Sequence, residues 1–174
     1  MNRVGNRFPS KVRYGTSLEY AYILSKGSPR SINLLKDQPN KRPGKKGSLS
    51  RREPDGRMRS VGAAAPTAKM GCRRAIWSYA TGFNNTTKDA YAFEHPALMH
   101  EAMTAAHVLS WSRPGELVFD PMAGAATTCK MALLNDRKYL GFEIYEPYYL
   151  LAQRRMREAH AAYRSQLDDW LGAA

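Results

Sequence analysis

Two carboxylates, Asp120 and Glu143, each close a short apolar run, and 23 residues separate them. Leu117-Val118-Phe119 ends on Asp120, and Tyr139-Leu140-Gly141-Phe142 ends on Glu143. Between them the small residues of Pro121-Met122-Ala123-Gly124-Ala125-Ala126 form a turn, and Thr127 to Leu134 reads as a helix. A turn from strand to helix can present backbone N–H groups to a ligand if small residues let it approach. A carboxylate at the end of the next strand can accept both hydroxyls of a ribose, and the spacing is close to the roughly 20 residues such a site uses. One glycine and three alanines make no dinucleotide fingerprint, so a tight turn with no ligand stands as the plain alternative.

The flanking elements fit that unit. Ala97 to Trp111 places Leu98, Ala102, Ala105, Ala106 and Leu109 at helical spacing, which predicts a buried stripe. Pro114-Gly115 makes a turn before the first strand, read as buried. Pro147 suits the first turn of a helix from Tyr148 to about Tyr163. Strand, turn, helix, strand and acid describe a βαβ unit of an open parallel sheet. Upstream, Leu18 to Leu24 reads as one strand, bounded by Gly15 and by Lys26-Gly27-Ser28-Pro29. From Lys36 to Ser60, Pro39, Pro43, Pro54 and the Gly/Ser cluster break every period, which predicts a loop or linker.

Charge is distributed unevenly. The chain of 174 residues carries a net +12, yet 18 basic and 4 acidic residues fall in the first 80, against 9 and 11 in the rest. The basic half has the footprint of a nucleic-acid contact, through Lys41, Arg42, Lys45, Lys46, Arg51 and Arg52. A solvated basic segment is the alternative. Trp77 and Tyr79 follow the basic run and could stack on bases, although such rings are more often core. With 43% hydrophobic and 24% charged residues the composition is globular. No apolar run approaches a membrane span, and Met1 to Arg13 has no signal-peptide core. Cys72 and Cys129 make neither a disulfide framework nor a zinc pair, so a reducing cytoplasm is the expected location. His95, His100 and His107 lack the Cys or acidic partners of a metal set.

The stretch from Phe93 to Arg155 resembles the C-terminal part of DNA amino-methyltransferases, which methylate adenine N6 or cytosine N4 from S-adenosylmethionine. The landmarks are HPA at His95 to Ala97, PGELVFDPMAGAATT at Pro114 to Thr128, and GFEI at Gly141 to Ile144. Arg7 to Asn40 also looks like this family, leading into its target-recognition region. Recognition region before cofactor motif is the order of the β-type enzymes. The resemblance implies that Asp120, Pro121, Met122, Gly124 and Ala126, with Thr127 and Thr128, cradle the methionine part of the cofactor. It implies that Glu143 binds the ribose and that His95 and Pro96 line the pocket.

Three departures stand out. The second glycine of the family's loop is Ala126, whose methyl would crowd a backbone meant to approach the ligand. Met99 stands where many relatives carry lysine. The largest departure is the catalytic tetrapeptide D/N/S-P-P-Y/F/W, which holds the exocyclic amine of a flipped base. No two prolines are adjacent in the chain. Glu146-Pro147-Tyr148-Tyr149 only resembles the motif and is read as a helix start, so no catalytic residue is assigned.

The expected fold is therefore α/β, an incomplete S-adenosylmethionine-dependent, Rossmann-like methyltransferase sheet with a basic, loop-rich recognition segment. Residues 1–35 carry a strand of that sheet, 36–90 the recognition region and 91–174 the cofactor-binding βαβ region. The missing strands would leave an exposed edge and apolar face. The expected function is site-specific DNA methylation on double-stranded DNA, completed by a separate catalytic half or a second copy. A non-catalytic DNA-binding remnant and a methyltransferase acting on RNA remain as alternatives.

Overall fold

The structure, a computed structural model, describes residues 19–172. It divides into two compact units, one of Leu34–Ala75 and one formed by the residues before and after it.

The smaller unit is built from β-ladders, where the sequence predicts a loop. Strand β1 is Gln38–Pro39, β2 is Lys46–Arg52, β3 is Met58–Pro66 and β4 is Met70–Gly71. β1 pairs with β4, and β2 with β3, both antiparallel. A turn over Glu53-Pro54-Asp55-Gly56 folds β2 onto β3. Pro54 supplies the φ its second position needs, and the Gly56 N–H donates to the Glu53 carbonyl at 2.9 Å. Gly56 takes the left-handed φ of +84° that closes such a turn, and the Arg57 N–H donates to the Asp55 carboxylate at 2.9 Å. All seven residues of β2 and all but Ala64 of β3 are exposed. With neither face buried, no apolar alternation marks the strands, and the prolines and glycines read as breakers.

The larger unit holds the βαβ core. Residues 19–24, part of the expected strand, are irregular and exposed, since no strand among the described residues offers them a ladder. Leu18 lies outside the described residues. A short 3-10 turn at Ala90–Glu94 leads to helix α1, Glu101–Trp111, followed by β5, Leu117–Asp120, α2, Thr127–Leu133, β6, Lys138–Gly141, and α3, Glu146–Gly172. Helix α1 starts four residues later than predicted because His100 caps it, its Nδ1 accepting the Ala102 N–H at 3.1 Å. Its buried residues are Met103, Thr104, Ala106, Val108 and Ser110. Of the predicted stripe only Ala106 is buried, and Ala102 is exposed. Ser110 and Thr104 are hidden at little cost because their hydroxyls bond back to the Ala106 and His100 carbonyls. α3 begins at Glu146 and runs well past the predicted end at Tyr163.

β5 and β6 pair in parallel, Val118 opposite Tyr139 and Asp120 opposite Gly141. On one face α2 lies close: a Cβ on Gly141 would stand 2.7 Å from Cys129 Sγ. The other face is bare and apolar. Leu117 is 59% exposed, Phe119 52%, Leu140 43% and Phe142 57%, with the two phenyl rings edge to face at 5.6 Å. The strand read as buried is thus covered on one side only.

An ionic cluster joins the elements behind this sheet. Arg155 of α3 is 0% exposed. Its guanidinium donates to Asp89 Oδ2 at 2.6 Å, Glu101 Oε1 at 2.5 Å, Thr127 Oγ1 at 2.8 Å and the Ala125 carbonyl at 2.9 Å. Lys130 of α2 adds bonds to the same two carboxylates at 2.6 and 2.7 Å. Burial alone would push the Asp89 carboxyl up, but the hydrogen bonds and charges of Lys130 and Arg155 hold it below its ordinary 3.8. Removing one partner strands the others: Arg155→Met should lower unfolding stability by about 3–5 kcal/mol in urea titrations. Because the folded carboxyl is the stronger acid, the cluster's contribution is whole above pH 3.8 and is lost as pH falls through the lower folded value. The wild-type midpoint should drop over that acid range more steeply than that of Asp89→Asn.

Candidate cofactor site

The loop between β5 and α2 is shaped by bonds to both strands. The Ala123 N–H donates to the Phe142 carbonyl at 2.8 Å, and the Phe142 N–H to the Asp120 carbonyl at 3.0 Å. Asp120 turns its Oδ1 onto the Met122 N–H at 3.1 Å, fixing the first bend and leaving Met122 exposed. Pro121 is exposed beside it.

Gly124 is where the loop makes its closest approach. Its φ is +51°, and a Cβ there would stand 2.8 Å from His95 Nε2. His95 is held in turn, its Nδ1 accepting the Ala97 N–H at 3.2 Å and its ring lying 4.3 Å from that of Tyr148. Pro96 follows on the surface and forms part of the same wall.

Glu143 stands at the end of β6 and faces the loop. Its Oε1 accepts the Tyr145 N–H at 2.9 Å and its Oε2 the Gly124 N–H at 2.9 Å. The Tyr145 amide, then that of Gly124, keeps its carboxyl below the ordinary range, with His95 adding a smaller pull. The Ile144 amide also favours the charged form, and an ionised carboxylate, with about four lone-pair sites, keeps room for a further hydroxyl. The structure therefore joins His95, Asp120, Gly124 and Glu143, residues far apart in sequence, around one loop.

Ala126 does not act as the sequence suggests. It takes a left-handed conformation, φ +56° and ψ 34°, one that glycine adopts without steric cost. Its methyl, however, is 3% exposed and packs with Cys129 and Ala152. The methyl is core, and its cost is backbone conformation rather than a clash with a ligand. Thr127 is likewise engaged from behind, by Arg155.

A small cavity of about 80 Å³ lies between this loop and the His95 segment, lined by His95, Asp120, Gly124 and Thr128 among others. A cleft of about 500 Å³, bounded by Tyr79, Phe93, Leu98 and Met103, shares His95, Ala97, Leu98 and Met99 with it. Tyr79 thus borders the cleft, its ring 4.8 Å from that of His100, and Trp77 lies half-buried, 4.8 Å from the His107 ring. Both fold with the larger unit, whereas Lys41, Arg42, Lys45, Lys46, Arg51 and Arg52 are exposed in the smaller one. Among the described residues no cluster of His, Cys, Asp and Glu could hold a metal, and no helix is long and apolar enough to cross a membrane.

The residues that sequence reasoning missed are Arg155, Asp89, Glu101 and Lys130. One signal was present: Arg155 falls on the apolar side of α3 with Leu151, Ala152 and Ala159, where a charge needs a buried partner.

Comparisons with known proteins bear on the family. A family model described as DNA methylase matches residues 2–154. The orphan methyltransferase M.BamHII of Bacillus amyloliquefaciens is 43% identical over 152 residues, 86% of this chain and 57% of its own length. The DNA adenine methyltransferase YhdJ of Escherichia coli (strain K12) is 39% identical over 62 residues, 36% of this chain and 21% of its own. The type II methyltransferase M.SmaI of Serratia marcescens is 34% identical over 94 residues, 54% of this chain and 30% of its own. The chain therefore spans little more than half of M.BamHII and less of the others.

The close approach at Gly124 has a measurable cost. Gly124→Ala combines a left-handed alanine with a clash against His95 and should lower stability by at least about 2 kcal/mol. Adding His95→Ala should recover the steric part, as thermal melting of the single and double variants would show.

Proposed function

Because the chain belongs to the DNA methylase family, we propose that it serves the transfer of a methyl group from S-adenosylmethionine to the exocyclic amine of a DNA base, N6 of adenine or N4 of cytosine. The observation that carries this reading is the meeting of Glu143, Asp120 and His95 around the Gly124 loop. The donor set suits such a cofactor: a carboxylate with lone-pair capacity left for a ribose hydroxyl, beside a loop of small residues closed over by His95. When bound, S-adenosylmethionine would supply the activated methyl group.

The chain's own residues bind and orient. Glu143 would hold the ribose hydroxyls, while Gly124 and Asp120 would fix the loop against the methionine portion. His95, Pro96 and Met122 would wall the pocket, with Ala126 and Thr127 anchoring the loop's far end. The basic residues Lys41, Arg42, Lys45, Lys46, Arg51 and Arg52 would bind double-stranded DNA, chiefly by neutralising its phosphates. Trp77 and Tyr79 would lie toward the target strand. No residue among the 174 is assigned to hold the reacting amine, since the chain contains no Pro-Pro pair. We read the bare face of Leu117, Phe119, Leu140 and Phe142 as the seat of a separate segment carrying that motif.

Calorimetric titration of the folded chain with S-adenosylmethionine is the direct test. Saturable one-site binding is expected, abolished by Glu143→Ala, with DNA affinity nearly unchanged. Neutralising Lys45, Lys46, Arg51 and Arg52 together should do the reverse. No heat from a folded chain would leave the reading of a non-catalytic DNA-binding remnant. Loss of both bindings in both variants would refute the division of roles, and methyl transfer to DNA by the chain alone would refute the need for a separate catalytic segment.

A further inference from the structure

The β2–β3 ribbon has a feature that packing does not explain. Arg51 stands directly opposite Arg59 across the ladder, and partners opposite each other share a face. Two like charges so placed repel, and an antiparallel pair is weakened by them. Glu53 reaches Arg59 only at 3.9 Å, and the side chains of Arg57 and Arg59 are 88% and 75% exposed. The other face of the same tip carries Arg52 opposite Met58 and Ser50 opposite Ser60. Cationic charge is thus gathered on one face, and short hydrogen-bonding side chains with one guanidinium on the other.

The ribbon's dimensions add an independent constraint. Two strands about 4.8 Å apart and roughly 20 Å long, with neither face packed on a core, form a blade exposed on both sides. The major groove of B-form DNA, about 12 Å wide, admits a two-stranded β-ribbon, whereas the deep and narrow major groove of an RNA helix does not.

We infer that the tip of the β2–β3 ribbon enters the major groove of duplex DNA, Arg51 and Arg59 clamping backbone phosphate while Ser50, Arg52 and Ser60 read base edges. This deepens the DNA-methylation reading and rests on it. Backbone phosphates taken up by Arg51 and Arg59, one by each, would turn their repulsion into two charge-assisted bonds. On the opposite face Arg52 has the fork that suits guanine O6 and N7, and the serine hydroxyls suit any base. The residues that set the recognition sequence would then be Ser50, Arg52 and Ser60, two of which carry no charge.

The test measures binding of the full chain to a fluorescein-labelled random 30-base-pair DNA duplex, and to an RNA duplex of the same base order, over a range of salt. Arg51→Gln with Arg59→Gln should flatten the DNA salt slope by about 1.8, two phosphate contacts at 0.9 each. Its melting temperature should be unchanged or higher, because a repulsion has been removed. Arg51→Lys with Arg59→Lys should keep the slope, which holds the inference to account even if the glutamine pair fails to fold. Selection from a random duplex pool with wild type should enrich one sequence. Arg52→Gln with Ser50→Ala and Ser60→Ala should lose about 5- to 100-fold of preference at one base pair while the slope moves by less than 1. An unchanged slope in the glutamine pair, or an unchanged preference in the triple variant, would overturn the inference and leave the DNA reading standing. Tighter binding to the RNA duplex would overturn it too, and a wild-type chain that binds no duplex would overturn both.

Discussion

Arg155 is the point on which the larger unit turns. A guanidinium with no solvent exposure must be satisfied on every side. Its bonds reach Asp89 beside the 3-10 turn, Glu101 at the start of α1, and Thr127 and the Ala125 carbonyl in the loop before α2. One side chain therefore fixes the entry of α1, the exit of the loop and the face of α3. The loop that carries Gly124 is held from behind by this cluster and from the front by Glu143. The two contacts act from opposite sides, so the candidate site is shaped before any ligand arrives. Lys130 balances the two acids against two bases, which keeps a buried cluster of this size from carrying net charge.

Among the described residues, about half of the buried apolar ones are alanines, set beside Met103, Val108, Met131, Leu133 and Leu151. Ala106, Ala125, Ala126, Ala132, Ala152 and Ala159 are all buried, and larger apolar groups such as Phe119, Leu140 and Phe142 point out of the sheet. Small side chains let α2 come close to β6, where a Cβ on Gly141 would stand 2.7 Å from Cys129 Sγ. Burial pushes the Cys129 thiol up to about 11, so it stays a neutral core group. The bulk of the apolar surface on β5 and β6 lies on the uncovered side.

How much of this was legible in the sequence follows from where the constraints lie. Leu117–Asp120, the turn, Thr127–Leu133 and the strand ending near Glu143 could be read almost residue by residue. Each is short, bounded by turn residues and coherent with its neighbours. The hairpin over Lys46–Pro66 could not, because its strands are Gly-, Ser- and Ala-rich and bury no face. Its one local sign was Pro54-Asp55-Gly56, a turn flanked by strands of 7 and 9 residues. The residues 19–24 misled in the other direction, since their strand composition has no partner among the described residues. At the site, Asp120, Gly124 and Glu143 were found through motif spacing. Arg155 and its partners were missed because their pairings span 29 to 66 residues and leave no local pattern.

The smaller unit leaves and re-enters the larger one at neighbouring places. Before it, the Asn33 N–H donates to the Ser110 carbonyl; after it, Trp77 lies against His107. His107 and Ser110 are one turn apart on α1, so residues 34–75 form an insertion with both ends tied to one helix. An insertion anchored this way can change its length and sequence without pulling on the sheet or the loop behind it. Such a frame allows the hairpin to be exchanged like a tool bit: on the DNA-reading role proposed for it, new target sequences would arise by replacing a cassette of some forty residues, while the parts that fold around Arg155 stay as they are.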